Sequence, residues 1–327
     1  MLASNSTISE VAVGPRWPRI TVVTPSFNQA AYLEQTMRSV LEQNYPNLEY
    51  IVVDGGSTDG SVDIIRKYEH RLSYWVSERD RGQTHALNKG FGRATGEILA
   101  YLNSDDYYLP GALEGVANYM RVHPDVALVH GRCRVVDTAG VKIGERFATI
   151  TRYDEMLDLW DVWWKGRNFV QPEVFWTKWI ADRVGTFREE LSWVMDYEYW
   201  ARILRAGGKV GSVDSELACF RMQPNQKSTQ SSRVADELLQ VVRPWIWDNK
   251  TALSWRQRLD LKAKWIFDAE FRREANRSAE RGEMRPRRWL RLGWLTMQHP
   301  ELFAARAFRR RLLSSLLPGG RPGSVVP

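Results

Sequence analysis

AYLNSDDYYLP, residues Ala100 to Pro110, runs from apolar and aromatic residues straight into two adjacent carboxylates, Asp105 and Asp106, and closes with a proline. Ile98 to Leu102 read as a buried strand, and Pro110 suits the first position of a helix running to about His123. The acidic pair therefore sits in a strand-to-helix loop, beyond the carboxyl end of a strand, where open α/β sheets bind ligands. One aspartate suffices for a helix cap, and neither of these adjoins Pro110. Two close carboxylates repel, so a cation is their natural third party.

Working outward, the same alternation repeats. ITVVTP reads as a strand, AAYLEQTMRSVLEQ as an amphipathic helix, EYIVVD as a strand and SVDIIRKYE as a helix. LSYWVS is a further strand, QTHALNKGFGRA a helix, and EILAYL the strand that leads to the acidic pair. Such a pattern predicts an α/β fold, a mainly parallel sheet flanked by helices with right-handed crossovers. Val126 to Gly131 adds a strand. After Arg134 the alternation breaks down into a tryptophan-rich region reaching Trp193, a helix from Asp196 to Ala206, short strands near Val210 and Leu217, and a polar loop from Gln223 to Ser232. The expected organisation is a mobile polar leader over 1–19, a catalytic or binding domain over 20–232, and a basic helical region over 233–327.

At 327 residues the chain can bury a full core, with one large domain and an appendage. No apolar run approaches the roughly 18 residues of a membrane span, and the first 19 residues lack the apolar core of a signal peptide, which makes the cytoplasm the expected location. Cys133 and Cys219 are far apart, show no metal-ligand spacing and read as core residues. The formal net charge is +7, and from Thr251 onward 17 Lys and Arg stand against 7 Asp and Glu. Stretches such as PRRWLRLGWL and ARAFRRRLLSSLL suit either a helix on the anionic inner face of the cell membrane or a packed appendage with solvated arginines. No nucleic-acid motif accompanies the charge, so nucleic acid is not an expected partner.

Two more strand ends carry distinctive residues. VVTPSFN ends the first strand with Pro25, Ser26 and Asn28, and its loop opens a helix whose N–H groups suit an anion. VVDGGSTDGS ends the second. There Gly55 and Gly56 permit a sharp turn and Ser57 to Asp59 cap the next helix, which leaves Asp54 for a ligand such as a ribose or a pyrimidine imide. Neither G-x-G-x-x-G nor G-x-x-x-x-G-K-[ST] occurs, which counts against a dinucleotide or P-loop enzyme. If nucleotide phosphates bind here, a Mg2+ or Mn2+ held by Asp105 and Asp106 is the group that neutralises them.

Three segments in this order, VVTPSFNQAAYLEQTMRSVLEQNYPNLEYIVVDGGSTDGS, ERDRGQTHALNKGFGRATGEILAYLNSDD and QPEVFWTKWIADRVGTFREELSWVMDYEYWARI, closely resemble the family 2 glycosyltransferases of the GT-A fold, over about Ile20 to Arg221. The resemblance implies a nucleotide-sugar donor, a UDP-sugar foremost, a divalent cation, and sugar transfer with inversion to a saccharide or lipid-linked glycan. By the same similarity Asp54 contacts the nucleotide base and Pro25 lines its pocket, with Ser26 and Asn28 beside it. Asp80, Asn88 and Lys89 border the nucleotide, Asp105 and Asp106 form the metal motif, and Asp196 is the catalytic base. Gln171 and Glu173 fall by the donor sugar or acceptor, with Trp164 on the acceptor surface, while His85 either touches the sugar or faces solvent. Many relatives carry a histidine after the arginine of the last core strand, where this chain has Gln223. Rival readings are a nucleotidyltransferase, whose Gly-rich basic loop is missing, and a non-catalytic nucleotide-sugar-binding or scaffold protein.

Inverting displacement asks for a base across the site from the metal. Asp196 and Glu198 lie two residues apart on one helix and face different ways, so only one can serve. Asp196 stands at the helix start and projects toward a cleft, and its alternative role is an N-cap worth about 1 kcal/mol.

Overall fold

The computed structural model describes residues 16–224, 226, 231–266, 268 and 297. β1 (Ile20–Ser26), α1 (Ala30–Leu41), β2 (Leu48–Asp54), α2 (Ser61–Tyr68), β3 (Tyr74–Ser77), α3 (Gln83–Phe91) and β4 (Ile98–Tyr101) follow one another as the periodicity predicts. β1 pairs in parallel with β2 and β4, and β2 with β3, which gives the order β3-β2-β1-β4. The chain thus builds outward from β1 on one side and then crosses to the other. The crevice between the ends of β1 and β4 is the topological switch point, where such sheets bind ligands.

β1, β2 and β4 are buried and mainly apolar because both faces of the sheet are covered there. Val22, Val52 and Ala100 pack beneath Leu33, Met37 and Val40 of α1, whereas Val23, Val53, Leu99 and Tyr101 share the opposite core with Ala86 and Leu87 of α3. Gly90 lets α3 lie close, since a Cβ there would stand 2.4 Å from Val23 Cγ1.

Past the acidic pair the chain departs from the sequence reading. Pro110 does not open the helix: α4 (Ala112–Val122) starts two residues later, behind Gly111 at φ +79. Between the acidic pair and Pro110 stands β5 (Tyr107–Tyr108), which pairs antiparallel with β9. β6 (Val126–Val136) and β9 (Lys209–Arg221) are long parallel partners, so the two short strands expected near Val210 and Leu217 are one. β7 (Lys142–Phe147) extends β6 as a hairpin, and β8 (Phe175–Thr177) joins β4 to β6 antiparallel to both. Around them lie α5 (Tyr153–Leu157), α6 (Lys178–Val184) and α7 (Met195–Arg205). Cys133 and Cys219 are buried and free.

The boundary expected after residue 232 falls inside α8 (Ser231–Trp247). Leu238, Val242 and Ile246 of α8 and Leu261 of the helical run 255–266 share one core with Met156, Tyr197 and Ile203. Lys264, almost wholly buried, binds Asp158 at 2.6 Å and Asp161 at 2.7 Å. The leader to residue 15 and both arginine-rich stretches lie outside the described residues.

Candidate active site

Parallel register sets Ser26, Asp54 and Ser77 side by side at the ends of β1, β2 and β3. Asp54 is fully buried, and the turn does use it. Its Oδ2 accepts from the N–H groups of Gly56 (3.1 Å) and Ser57 (2.8 Å) and from the Ser77 hydroxyl (2.7 Å), and Oδ1 from the Ser57 hydroxyl (2.5 Å). The helix N-terminus offered to an anion is also occupied. The N–H groups of Asn28, Gln29 and Ala30 go to Ser57, Ser61 and Asp59, and Asn28 Oδ1 accepts from the Thr58 N–H at 2.9 Å. Asn28 holds φ at +51, which turns the chain sharply after Phe27 and leaves that ring 60% exposed at the rim. Pro25 and Ser26 are buried, and the Ser26 hydroxyl has no partner.

Asp80 joins this corner: a Cβ on Gly55 would stand 2.8 Å from its Oδ2, while its Oδ1 accepts from the Gly82 N–H at 2.7 Å. Three other candidates are engaged elsewhere. Asn88 exchanges hydrogen bonds with the Phe187 backbone, Lys89 pairs with Glu78 at 2.8 Å, and His85 Nδ1 accepts from the Arg81 N–H at 3.2 Å.

Across the switch point, Asp106 is buried and Asp105 half-buried. Asp106 Oδ1 accepts from the Arg221 N–H at 2.8 Å, and its Oδ2 has no partner. Asp105 Oδ2 accepts from Gln223 Nε2 at 2.7 Å. Burial pushes both carboxyls above their usual range, Asp106 well above it through its complete burial and, secondarily, the like charge of Asp105. Arg221, which sequence reasoning passed over, fastens this loop. Its side chain donates to the carbonyls of Asp105 (3.0 Å), Asp137 and Thr138 and to Gln35 Oε1, and its cation lies over Tyr32 and Tyr107. Two carboxylates with one orphaned buried oxygen fit a divalent cation, which typically takes one or two carboxylates together with ligand phosphates. Among the described residues no group of three His, Cys, Asp or Glu side chains is arranged to hold a metal.

A chain of amides backs the acidic loop. Gln83 Nε2 donates to Asn103 Oδ1, Asn103 Nδ2 to Gln171 Oε1, and Gln171 Nε2 to the Tyr101 carbonyl. Gln171 is therefore spent on support. Glu173, also buried, accepts from the Val170 N–H at 3.0 Å, and burial pushes its carboxyl well up. Trp163 and Trp164 are half-buried against the core.

Asp196 is the second residue of α7 and not its N-cap, a position held by Val194. Its carboxyl is half-buried and pushed up to about 6 by desolvation. Glu198 is out of contention as a base, because it is buried against Arg202 with both oxygens 3.0 Å from Nε. Burial, together with the charges of Asp196 and Asp106, pushes the Tyr101 phenol up, so both carboxylates lie within electrostatic reach of this one side chain at the end of β4.

The family model for glycosyl transferase family 2 matches residues 21–188, slightly more than half of the chain. A Nostoc sp. glycosyltransferase is 31% identical over 144 residues, 40% of this chain and 45% of that protein. TuaG of Bacillus subtilis, named for teichuronic acid biosynthesis, is 41% identical over 106 residues, 32% of this chain and 42% of that one. The chain thus matches less than half the length of these relatives. Among solved structures, S. aureus TarS 1–349 in complex with UDP-GlcNAc matches with a TM-score of 0.60 at 17% identity, over 76% of this chain and 71% of that one. Mannosyltransferase PcManGT from Pyrobaculum calidifontis, in complex with GDP-Man and Mn2+, matches with a TM-score of 0.55 at 22% identity, over 91% and 88%. The sheet order and its acidic switch point are those of the GT-A glycosyltransferase fold, and the chain belongs to glycosyl transferase family 2.

Proposed function

We propose that the chain transfers a sugar, with inversion, from a nucleotide-sugar donor, a UDP-sugar foremost, to a hydroxyl of a saccharide or lipid-linked glycan in cell-surface polysaccharide synthesis. The relatives' names and the complexes of TarS with UDP-GlcNAc and of PcManGT with GDP-Man support the donor class. The observation that carries the reading is a half-buried Asp196 carboxyl, held at about 6 by burial, within electrostatic reach of the same Tyr101 phenol that Asp106 reaches. A base needs a proton affinity near the working pH, and Asp196 has it.

In the reaction the acceptor oxygen bonds to the anomeric carbon while the bond to the nucleoside diphosphate breaks. The leaving group takes the electron pair, and Asp196 takes the hydroxyl proton. Asp105 and Asp106 would hold a Mn2+ or Mg2+, which when bound offsets charge on the diphosphate. The Asp54 turn, Pro25 and the exposed Phe27 ring shape the base pocket, with Asp80 at its side. Asn88, Lys89, Gln171 and Glu173 act one step back, by holding neighbouring segments. We assign catalysis to 20–232 and extend the reading to a peripheral contact of the basic tail with the inner membrane face. Among the described residues no helix is long and apolar enough to cross a membrane.

Asp196→Asn tests the assignment. A positioned base contributes about 100- to 10,000-fold, so kcat should fall by that order while UDP affinity by calorimetry stays unchanged. Near-normal turnover would overturn it, and a protein that binds the donor but never transfers would be the scaffold.

A further inference from the structure

α8 reaches back to the segment that carries Asp196. Glu237 Oε1 accepts from the Ser192 N–H at 3.0 Å, and Oε2 accepts from the N–H groups of Trp193 at 2.8 Å and Val194 at 2.9 Å. The N-cap residue Val194 makes no side-chain cap, and within the first turn Asp196 Oδ1 accepts from the Tyr197 N–H at 2.7 Å. The free N–H groups at a helix start favour a negative charge, through hydrogen bonds and through the helix dipole. The Glu237 carboxylate, 43 residues downstream of Val194, takes the N–H of that N-cap residue and those of the two residues before it.

Resting on the reading of Asp196 as the base, we propose that Glu237 is its positioning residue: the three-bond clasp fixes the backbone that aims Asp196, and it sets a second negative charge beside it. A single residue, Met195, separates Val194 from Asp196, so a backbone shift at the clasp passes directly to the carboxylate. Fixed geometry of this kind governs how well a base meets its proton. The charge acts in the same direction as burial: it raises the proton affinity of Asp196, against the backbone N–H groups of Tyr197 and Asp196 that lower it.

Other groups near Asp196 do not duplicate this role. Tyr101 on β4 brings a neutral phenol, Glu198 on α7 is neutralised by Arg202, and Arg233 of α8 lays its guanidinium over the Trp193 ring at 5.6 Å. Glu237 itself lies outside the residues matched by the family model.

Glu237→Gln removes the charge and turns an NH2 toward N–H donors, while Glu237→Asp keeps the charge but shortens the reach. In Glu237→Gln we expect kcat to fall about 10- to 100-fold, the usual cost of losing a supporting partner, with UDP affinity unchanged. Asp196 should then lose its proton at lower pH, so the acidic limb of kcat/KM moves down. Glu237→Asp should leave the limb in place and lower kcat less. A helix cap alone would lower Tm in both variants and move neither kcat nor the limb, which overturns the proposal. If Glu237→Gln does not fold, full kcat in Glu237→Asp overturns it equally. Carbon-13 NMR titration of the Asp196 carboxyl in Glu237→Gln reads the coupling without turnover. An unmoved titration there sinks the clasp, whereas normal turnover in Asp196→Asn sinks the base.

Discussion

Asp105 and Asp106 are chemically identical neighbours, yet the fold treats them differently. Asp105 keeps some contact with water and a hydrogen bond from Gln223, while Asp106 is buried with one oxygen on the Arg221 N–H and the other orphaned. A buried carboxylate without a partner is costly, and a bound cation removes that cost. Asp106→Asn is the clean probe, because its amide oxygen can keep the Arg221 bond while the charge is lost. We expect Mn2+-dependent UDP affinity to drop at least about tenfold with Tm little changed. Calorimetry with and without Mn2+ checks this, and an unchanged Mn2+-dependent affinity would remove the metal assignment. Gln223 bears on the same point, since its neutral amide already donates to Asp105.

Among the elements, α3 shows how packing sets the site. Its Gln83 starts the amide chain behind the acidic loop, and its Asn88 ties down the Phe187 backbone, so the helix must sit at a fixed height over β1 and β2. Gly90 sets that height. Alanine favours helix over glycine by about 1 kcal/mol, but a methyl 2.4 Å from Val23 Cγ1 must displace something, and overpacking costs about 1–3 kcal/mol. Gly90→Ala should therefore lower Tm and weaken donor binding by lifting Gln83 from Asn103. A raised Tm with normal binding would mean that α3 does not lie this close. α7 is a second case: Arg202 holds Glu198 and donates to the carbonyls of Val184 and Thr186, which anchors the helix carrying Asp196 to the segment after α6.

For the molecule as a whole, residues through 266 are built onto the core of the sheet domain by α8, by Leu253 and Leu261, and by Lys264 on Asp158 and Asp161. Those two aspartates belong to the tryptophan-rich segment, so the C-terminal part braces the candidate acceptor side. The positive excess lies mostly beyond this brace. A chain ending at 268 should keep its Tm, whereas the full chain should bind anionic liposomes and release them with added salt, because screening shortens the reach of surface charge. Sedimentation with phosphatidylglycerol vesicles checks this, and equal, salt-insensitive binding by both chains would refute a membrane role for the tail.

By itself the sequence determined the order of strands and helices through β4, and the placing of Asp54, Asp105 and Asp106 at strand ends. Those features depend on side-chain periodicity and turn chemistry over about ten residues, which composition encodes locally. Only the tertiary structure decided what each carboxylate does, because the partners of buried polar groups come from wherever the chain crosses. Ser77 closes on Asp54 from the neighbouring strand, Arg221 reaches Asp106 over 115 residues, and Glu237 reaches Val194 over 43. The same reason separates Asp196 from Glu198. Both stand in one short acidic motif, and only packing showed that one meets Arg202 while the other is left half-buried with its proton affinity raised.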